Sequence, residues 1–413
     1  MTSNDGLDRR LTAWLDEEAA PLAPHGLSET ITESVGEARR LPGWATSERW
    51  ISMETRARLG AVPRAAIILA TLALLTALAA GAIVVGSSSA PKLPAPFGAA
   101  DNGLIAFVSE GDIYVIEPDG SDRRQITSGL EGISGPTWSR DGTRLAYWTG
   151  PAGEPAGLVV TDVDGSDPVA VATTLGPDYE DLEWSADGAG IMYSEIVPGL
   201  GSDPCPVIEG GACGSRLFIA RVDGSGSSQV GDPDLDARGP TLSPDGSTVA
   251  FGGGEAASEA LYVMQWDGSD IERLETGLSG GGWAFAKQSW SADGQRIVTN
   301  PPGGGGVWIV ELDGSGQVEG TERLGSGVWP SYSPDGSAID TSGPAGRMIW
   351  APDDEGASVV LSGVPNGPAW APDSTRVVGI RGSDLVVYGR DGETIAELGP
   401  TDDGKPSWQR VAP

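Results

Sequence analysis

The sequence predicts an all-β fold, a seven-bladed β-propeller with three-plus-one strand closure, preceded by one transmembrane helix and a small helical N-terminal region. Three observations carry this expectation. A five-residue phrase recurs along the chain: Trp138 to Gly142, Trp184 to Gly188, Leu242 to Gly246, Trp290 to Gly294, Tyr332 to Gly336 and Trp370 to Ser374, with a truncated copy at Ser407-Trp408. Its first residues are spaced by 46, 58, 48, 42, 38 and 38 positions, and a period near 40 with short strands in each unit is the signature of propeller blades. A second turn signal falls between these phrases, and a separate uncharged stretch of 21 residues stands near the N-terminus.

Residues 1–64 read as a small helical region. Leu7, Leu11, Trp14 and Leu15 share one helical face, and Pro21 and Pro24 end that segment. Leu27, Ile31, Val35 and Ala38 mark a second face, and Thr46 or Ser47 can cap a third helix carrying Trp50, Ile51 and Met53. Such short helices bury little surface on their own. His25 is the only histidine of the chain, directly follows Pro24, and reads as a loop residue.

Residues 65–85 carry no charge. At about 1.5 Å per residue a helix of this length spans roughly 30 Å, the thickness of a bilayer's hydrocarbon core. A buried core helix is the alternative, but the flanks are polar on both sides, and 64 preceding residues are too many for a cleaved signal peptide. Arg56, Arg58 and Arg64 precede the span and only Lys92 closely follows it. The positive-inside rule therefore places the N-terminus in the cytoplasm and the rest outside. Residues 86–101 form a linker rich in Pro, Ser and Ala.

From residue 102 each unit follows one plan. Strand a carries the aromatic and the serine of the phrase. Asp-Gly then makes a tight two-residue hairpin turn into an apolar strand b. Strand c alternates, as in Asp112–Ile116 and Leu261–Met264. A second turn follows at Asp119-Gly120, Asp164-Gly165, Asp223-Gly224, Asp267-Gly268, Asp313-Gly314, Glu355-Gly356 and Asp391-Gly392. Seven second turns mean seven blades. The chain enters the first blade at strand b, and Trp408 supplies the missing strand a, so pairing the last strand with the first three closes the ring and removes the open edge. The repeat-motif residues Trp138, Asp141, Trp184, Asp187, Asp245, Trp290, Asp293, Tyr332, Asp335, Trp370, Asp373 and Trp408 are read as structural, the aromatics packing between blades and the aspartates forming turns.

The repeats resemble the TolB-type repeat, whose consensus runs Trp-Ser-Pro-Asp-Gly, a strand, then a hydrophobic strand ending in Asp-Gly-Ser. Leu242 to Phe251 followed by Leu261 to Ser269 matches it closely, and the resemblance covers residues 102–413. The shape is related to WD-repeat propellers, without their Gly-His and Trp-Asp signatures. The resemblance implies a domain that binds partner proteins in the bacterial envelope, or one that gates the active site of a prolyl-oligopeptidase-like enzyme. TolB itself is soluble and periplasmic with an α/β domain ahead of its propeller, so its specific partners are not implied for a chain expected to be anchored. The layout of helical head, single span and outer domain is similar to that of membrane-bound anti-sigma factors. Their zinc motif is absent, because residues 1–64 contain no cysteine.

The net charge of −32 is lopsided. Residues 1–64 hold 8 Arg and 10 acidic residues, whereas residues 65–413 hold 18 basic and 48 acidic ones. So acidic a domain repels nucleic acid, and no nucleic-acid partner is expected. Gly277-Leu-Ser279-Gly-Gly281 matches the Gly-x-Ser-x-Gly nucleophile pattern, but lies in a Gly-rich interblade loop with no propeller histidine to act as base. No phosphate-binding loop is present, and no cofactor is expected. Only an acid-only glycosidase, which needs just two carboxylates, stays open as an enzymatic class. Asp232, Asp234 and Asp236, and Asp162 with Asp164, are close carboxylates of the kind calcium uses, but turn formation explains them more simply. No metal site is assigned. Cys205 and Cys213 sit in the longest insertion, between strands b and c of the third blade. A disulfide is expected if the loop is extracytoplasmic, with a metal pair as the alternative. These readings point to a membrane-anchored, extracytoplasmic, non-enzymatic platform for protein or envelope-ligand recognition. The alternative is an anti-sigma-like transmembrane regulator with an external sensor propeller and a cytoplasmic partner-binding head.

Overall fold

The computed structural model describes residues 98–413, apart from 133, 152–154, 175–181, 205–211, 255–258, 279–286, 302–305, 344–345, 352–357, 364–367, 403 and 413. The expected helical region 1–64, the span 65–85 and most of the linker 86–101 lie outside the described residues. Among the described residues the regular structure is all strand, and no helix is long and apolar enough to cross a membrane.

Blade 1 begins with β1 (Asp101–Ser109), β2 (Asp112–Ile116) and β3 (Arg124–Gln125). Blade 2 comprises β4 (Ser134–Trp138), β5 (Arg144–Thr149), β6 (Ala156–Asp162) and β7 (Val169–Thr174). Blade 3 comprises β8 (Glu183–Trp184), β9 (Gly190–Pro204), β10 (Ala212–Arg221) and β11 (Gly226–Val230). Blade 4 holds β12 (Ala237–Leu242), β13 (Thr248–Gly253), β14 (Ala260–Gln265) and β15 (Glu272–Arg273). Blade 5 holds β16 (Gln288–Trp290), β17 (Arg296–Thr299), β18 (Val307–Leu312) and β19 (Val318–Gly325). Blade 6 is β20 (Val328–Tyr332), β21 (Ile339–Gly343), β22 (Gly346–Trp350) and β23 (Ser358–Ser362). Blade 7 is β24 (Ala369–Trp370), β25 (Arg376–Arg381), β26 (Asp384–Gly389) and β27 (Thr394–Pro400). The last strand, β28 (Ser407–Val411), pairs antiparallel with β1 and completes blade 1 in the order β28-β1-β2-β3. The result is a seven-bladed β-propeller of seven four-stranded antiparallel sheets, closed three-plus-one.

The core is divided among the blade interfaces. Among the described residues seven apolar clusters occur, and each draws on two neighbouring blades. The period-2 alternation of a strand explains this. In β1, Ile105 and Phe107 face blade 7, while Leu104 and Ala106 face blade 2. A second strand covered on both faces therefore reads as a continuous apolar run, as in Leu145 to Trp148, all buried.

The first turn differs from the two-residue form expected. In blade 2 the Ser139 amide donates to the Arg144 carbonyl at 2.8 Å and the Gly142 amide to the Ser139 carbonyl at 2.9 Å. The connection therefore spans four residues. Only Gly142 takes a positive φ, 71°. Asp141 keeps negative φ because its carboxylate caps the loop, accepting from the Ser139 hydroxyl at 2.6 Å and the Thr143 amide at 3.0 Å. The second turn is a three-residue loop, as between Glu117 and Ser121, where Gly120 donates back to Glu117. In blade 5 its register also shifts. Asp313 still caps the loop, but Gly316, not Gly314, takes the positive φ.

Removing residues 400–413 strips β28 from β1 and takes Trp408 out of the blade 1–blade 7 cluster. We expect a large loss of melting temperature. Trp408→Ala alone should cost roughly 3–5 kcal/mol, the range for truncating a buried aromatic, measurable by chemical denaturation.

Candidate functional site

The motif serines and aspartates form the same network in five blades. The hydroxyls of Ser139, Ser185, Ser243, Ser291 and Ser333 donate to Asp141, Asp187, Asp245, Asp293 and Asp335 at 2.5–2.6 Å. Each serine oxygen also accepts the backbone amide five residues on, at 2.9–3.0 Å. In the sixth copy Ala371 replaces the serine. There Asp373 accepts from Thr375 and, at 2.8 Å, from Asn102 of blade 1. The motif aromatics each sit at a different blade interface. Trp138, Trp184, Tyr332 and Trp408 are buried in their clusters, and Trp290 and Trp370 pack against theirs half-buried. Trp184, Trp290 and Trp370 also donate their indole N–H to carbonyls of the preceding blade, those of Thr137, Thr241 and Ser331.

These inner strands surround the candidate site. A cavity of about 580 Å³ is lined from six of the seven blades, so it lies on the propeller axis. That volume is within the range of small-molecule sites. Its lining contrasts with the acidic domain around it. Arg140, Lys287, Arg347, Lys405 and Arg410 line it, and no acidic residue does among the described lining residues. Trp290, Trp329, Tyr332 and Trp370 add aromatic surface.

Two of the cations are fixed from behind. Arg140 pairs with Glu183, and Arg347 pairs with Asp340. Asp340 is buried and also accepts the Trp370 indole N–H at 2.8 Å. Arg347 is 3% exposed and donates through Nη2 to the Trp329 carbonyl at 3.3 Å as well. Its Nε and Nη1 are buried without a hydrogen-bond partner. Burial, and then the positive charge of Arg140, pulls the Arg410 guanidinium down to about 10. It therefore remains charged at neutral pH beside a second guanidinium.

Trp329 is the residue the sequence reading missed. It occupies a bulge in β20, three positions before the motif aromatic. Gly135 and Gly239 occupy the equivalent bulges of blades 2 and 4, with φ of 63° and 61°. Trp329 has φ 52°, a conformation that glycine adopts freely and a bulky residue before proline does not. Two contacts hold it there: its amide donates to Asn300 Oδ1 at 2.7 Å, and its carbonyl accepts from Arg347. Its side chain is 44% exposed. The register carried the signal: Lys287, Trp329 and Lys405 all stand three residues before their motif aromatics.

The other candidates lie elsewhere. Cys213 is 4% exposed in β10, opposite Pro198 of β9, and Cys205 lies outside the described residues. Among the described residues the insertion that carries them is an elongated hairpin, with 15 residues in β9 against 4–6 in the equivalent strands of blades 2 and 4 to 7. Asp232 accepts the Asp234 amide, and Asp236 pairs with Arg238 and accepts the Ser215 amide. Asp162 sits at the end of β6, and Asp164 caps its turn through Ser166. Ser279 lies outside the described residues.

This is the architecture of a seven-bladed β-propeller with an axial cavity. Among solved structures, the chain is similar to TolB from Acinetobacter baumannii, at 17% identity over 74% of this chain and 66% of that one, with a TM-score of 0.44. A functionally unknown protein from Desulfotomaculum acetoxidans shares 14% identity over 75% and 99%, with a TM-score of 0.53. A prolyl endopeptidase shares 16% over 74% and 50%, with a TM-score of 0.52. The chain thus spans just under two thirds of that TolB and half of the endopeptidase. No known protein family matches the sequence, and no curated protein matches it.

The motif aspartates make the domain acid-sensitive. The Ser185 and Ser243 hydroxyls hold Asp187 and Asp245 below the ordinary carboxylate value of 3.8. Burial pushes Asp141, Asp293 and Asp335 upward, but their serine and backbone donors outweigh it, and they too lie low. A depressed folded value gives stability that is complete above the ordinary value and is lost as pH falls through the folded one. The melting temperature should be flat above about pH 5 and drop below about pH 4. Asp245→Asn should lower it at pH 7 and make the acid decline shallower, and Ser243→Ala should cost about 2 kcal/mol.

Proposed function

We propose that the chain is a membrane-anchored, extracytoplasmic β-propeller acting as a non-enzymatic recognition platform for a protein or ligand of the bacterial envelope. The observation that carries the reading is the axial cavity, whose described lining is cationic and aromatic. The propeller contains no histidine, and no carboxylate stands among the described lining residues of the cavity. The uncharged stretch 65–85 and the arginines before it support the anchor and its orientation. With that orientation the reading puts the third-blade hairpin in an oxidising compartment, where a Cys205–Cys213 bridge persists. No cysteine among the described residues is free, which supports the bridge.

A second reading rests on residues 1–64, where apolar residues at helical spacing precede the span. There the head holds a cytoplasmic partner and the propeller is its external sensor.

Crosslinking the tagged full-length protein in intact cells separates the two. Envelope components joined to residues 102–413 support the platform. Transcription proteins joined to residues 1–64 support the regulator, and protection of the propeller from external protease would remove both. The bridge has its own check: maleimide should label neither cysteine without reduction, and two labels per chain would exclude it.

A further inference from the structure

We propose that the axial cavity binds a small multivalent oxyanion, with Arg347 as the buried anchor and Trp329 as a strained aromatic wall. The inference rests on the recognition reading and names the chemistry of its ligand.

Arg347 carries the argument furthest. A guanidinium offers five N–H donors in a planar fork suited to carboxylate or phosphate. In this structure Nη2 is committed to Asp340 and the Trp329 carbonyl. Nε and Nη1 are buried without a partner, on a side chain that lines the cavity. Buried donors are rarely left unmatched, because leaving them so costs free energy. A bound oxyanion supplies the missing acceptors. The surroundings suit it. Arg140, Lys287, Lys405 and Arg410 line the same space, and no described lining residue is acidic in a domain with 47 acidic residues to 17 basic.

Trp329 is the second, independent observation. Two other blades fill this bulge with glycine, the residue its backbone favours. Blade 6 holds a tryptophan in the same left-handed conformation and leaves the side chain half in solvent at the cavity. Strain of this kind persists where surrounding contacts enforce it, and it clusters at ligand sites. Both enforcing contacts, from Asn300 and Arg347, are present. The same arginine thus holds the Trp329 backbone and faces the anion, so ligand and wall share one anchor.

Calorimetry on the purified full-length chain tests this with citrate, pyrophosphate and a uronic-acid disaccharide, and with a neutral disaccharide as control. At least one anion should bind in preference to the neutral sugar and weaken as salt rises. A strongest response to the uronate assigns an acidic saccharide, and one to citrate or pyrophosphate a free polyanion. Arg347→Lys keeps a charge opposite Asp340 but removes the fork, and the pair Lys287→Gln with Lys405→Gln removes two lining charges. Each change should weaken binding roughly ten-fold or more. Trp329→Gly should weaken binding with an unchanged or higher melting temperature, and a fall in both would make the residue merely structural. The proposal is overturned if no anion is preferred, or if all three changes leave binding as it was. Absence of anion binding alongside a crosslinked envelope protein would remove this inference and leave the recognition reading intact. Anion binding with no captured partner would leave the cavity a ligand site and retire the protein-platform reading.

Discussion

Each blade of this propeller has two apolar faces and only its neighbours to cover them. That constraint governs the rest of the structure. An isolated four-stranded sheet would leave Leu104 and Ala106 on one side, and Ile105 and Phe107 on the other, in water. Seven clusters, one per interface, are the solution, and a solution by neighbours is complete only when the ring has no ends. The β28–β1 pairing is therefore a condition for every interface.

The same constraint explains why the repeat is spelled as it is. One large aromatic in six of the blades, and Leu242 in blade 4, fills the wedge between sheets, and in three blades the indole N–H reaches back to the preceding blade. The serine and aspartate beside it satisfy the amides of the loop that turns the chain back, so the loop needs one glycine rather than two positive-φ residues. Where the serine is lost, at Ala371, the neighbouring blade supplies a donor to Asp373 through Asn102. The motif is a local solution to backbone hydrogen bonding placed where a packing residue must also stand.

Fold and closure were legible because they rest on spacing, which survives in one dimension. Seven second turns gave seven blades, and the half-unit at each end of the repeats gave the closing strand. Turn geometry was less legible, because Asp-Gly permits both a two-residue and a longer loop, and only the carboxylate's hydrogen bonds decide between them. The cavity was not read at all. Its cations come from blades 1, 2, 5 and 6 and are brought together only by the ring. Arg140 lies inside a motif whose aromatic and aspartate drew the assignment, and Trp329 lies outside the motif. What marks Trp329 is its backbone, which shares its sign of φ with Gly135 and Gly239, and that is invisible without coordinates.

The closure also has a consequence in time. Trp408 meets Gly103 across 305 positions of chain. At synthesis rates of 5–20 residues per second, β1 is made roughly 15–60 s before its partner exists. During that interval β1 presents an unpaired edge, and one apolar face of blade 1 has no neighbour. The nascent domain is thus a row of blades with two sticky ends, and it becomes a ring only when the last strand arrives. Whatever guards those ends in the interval guards the fold.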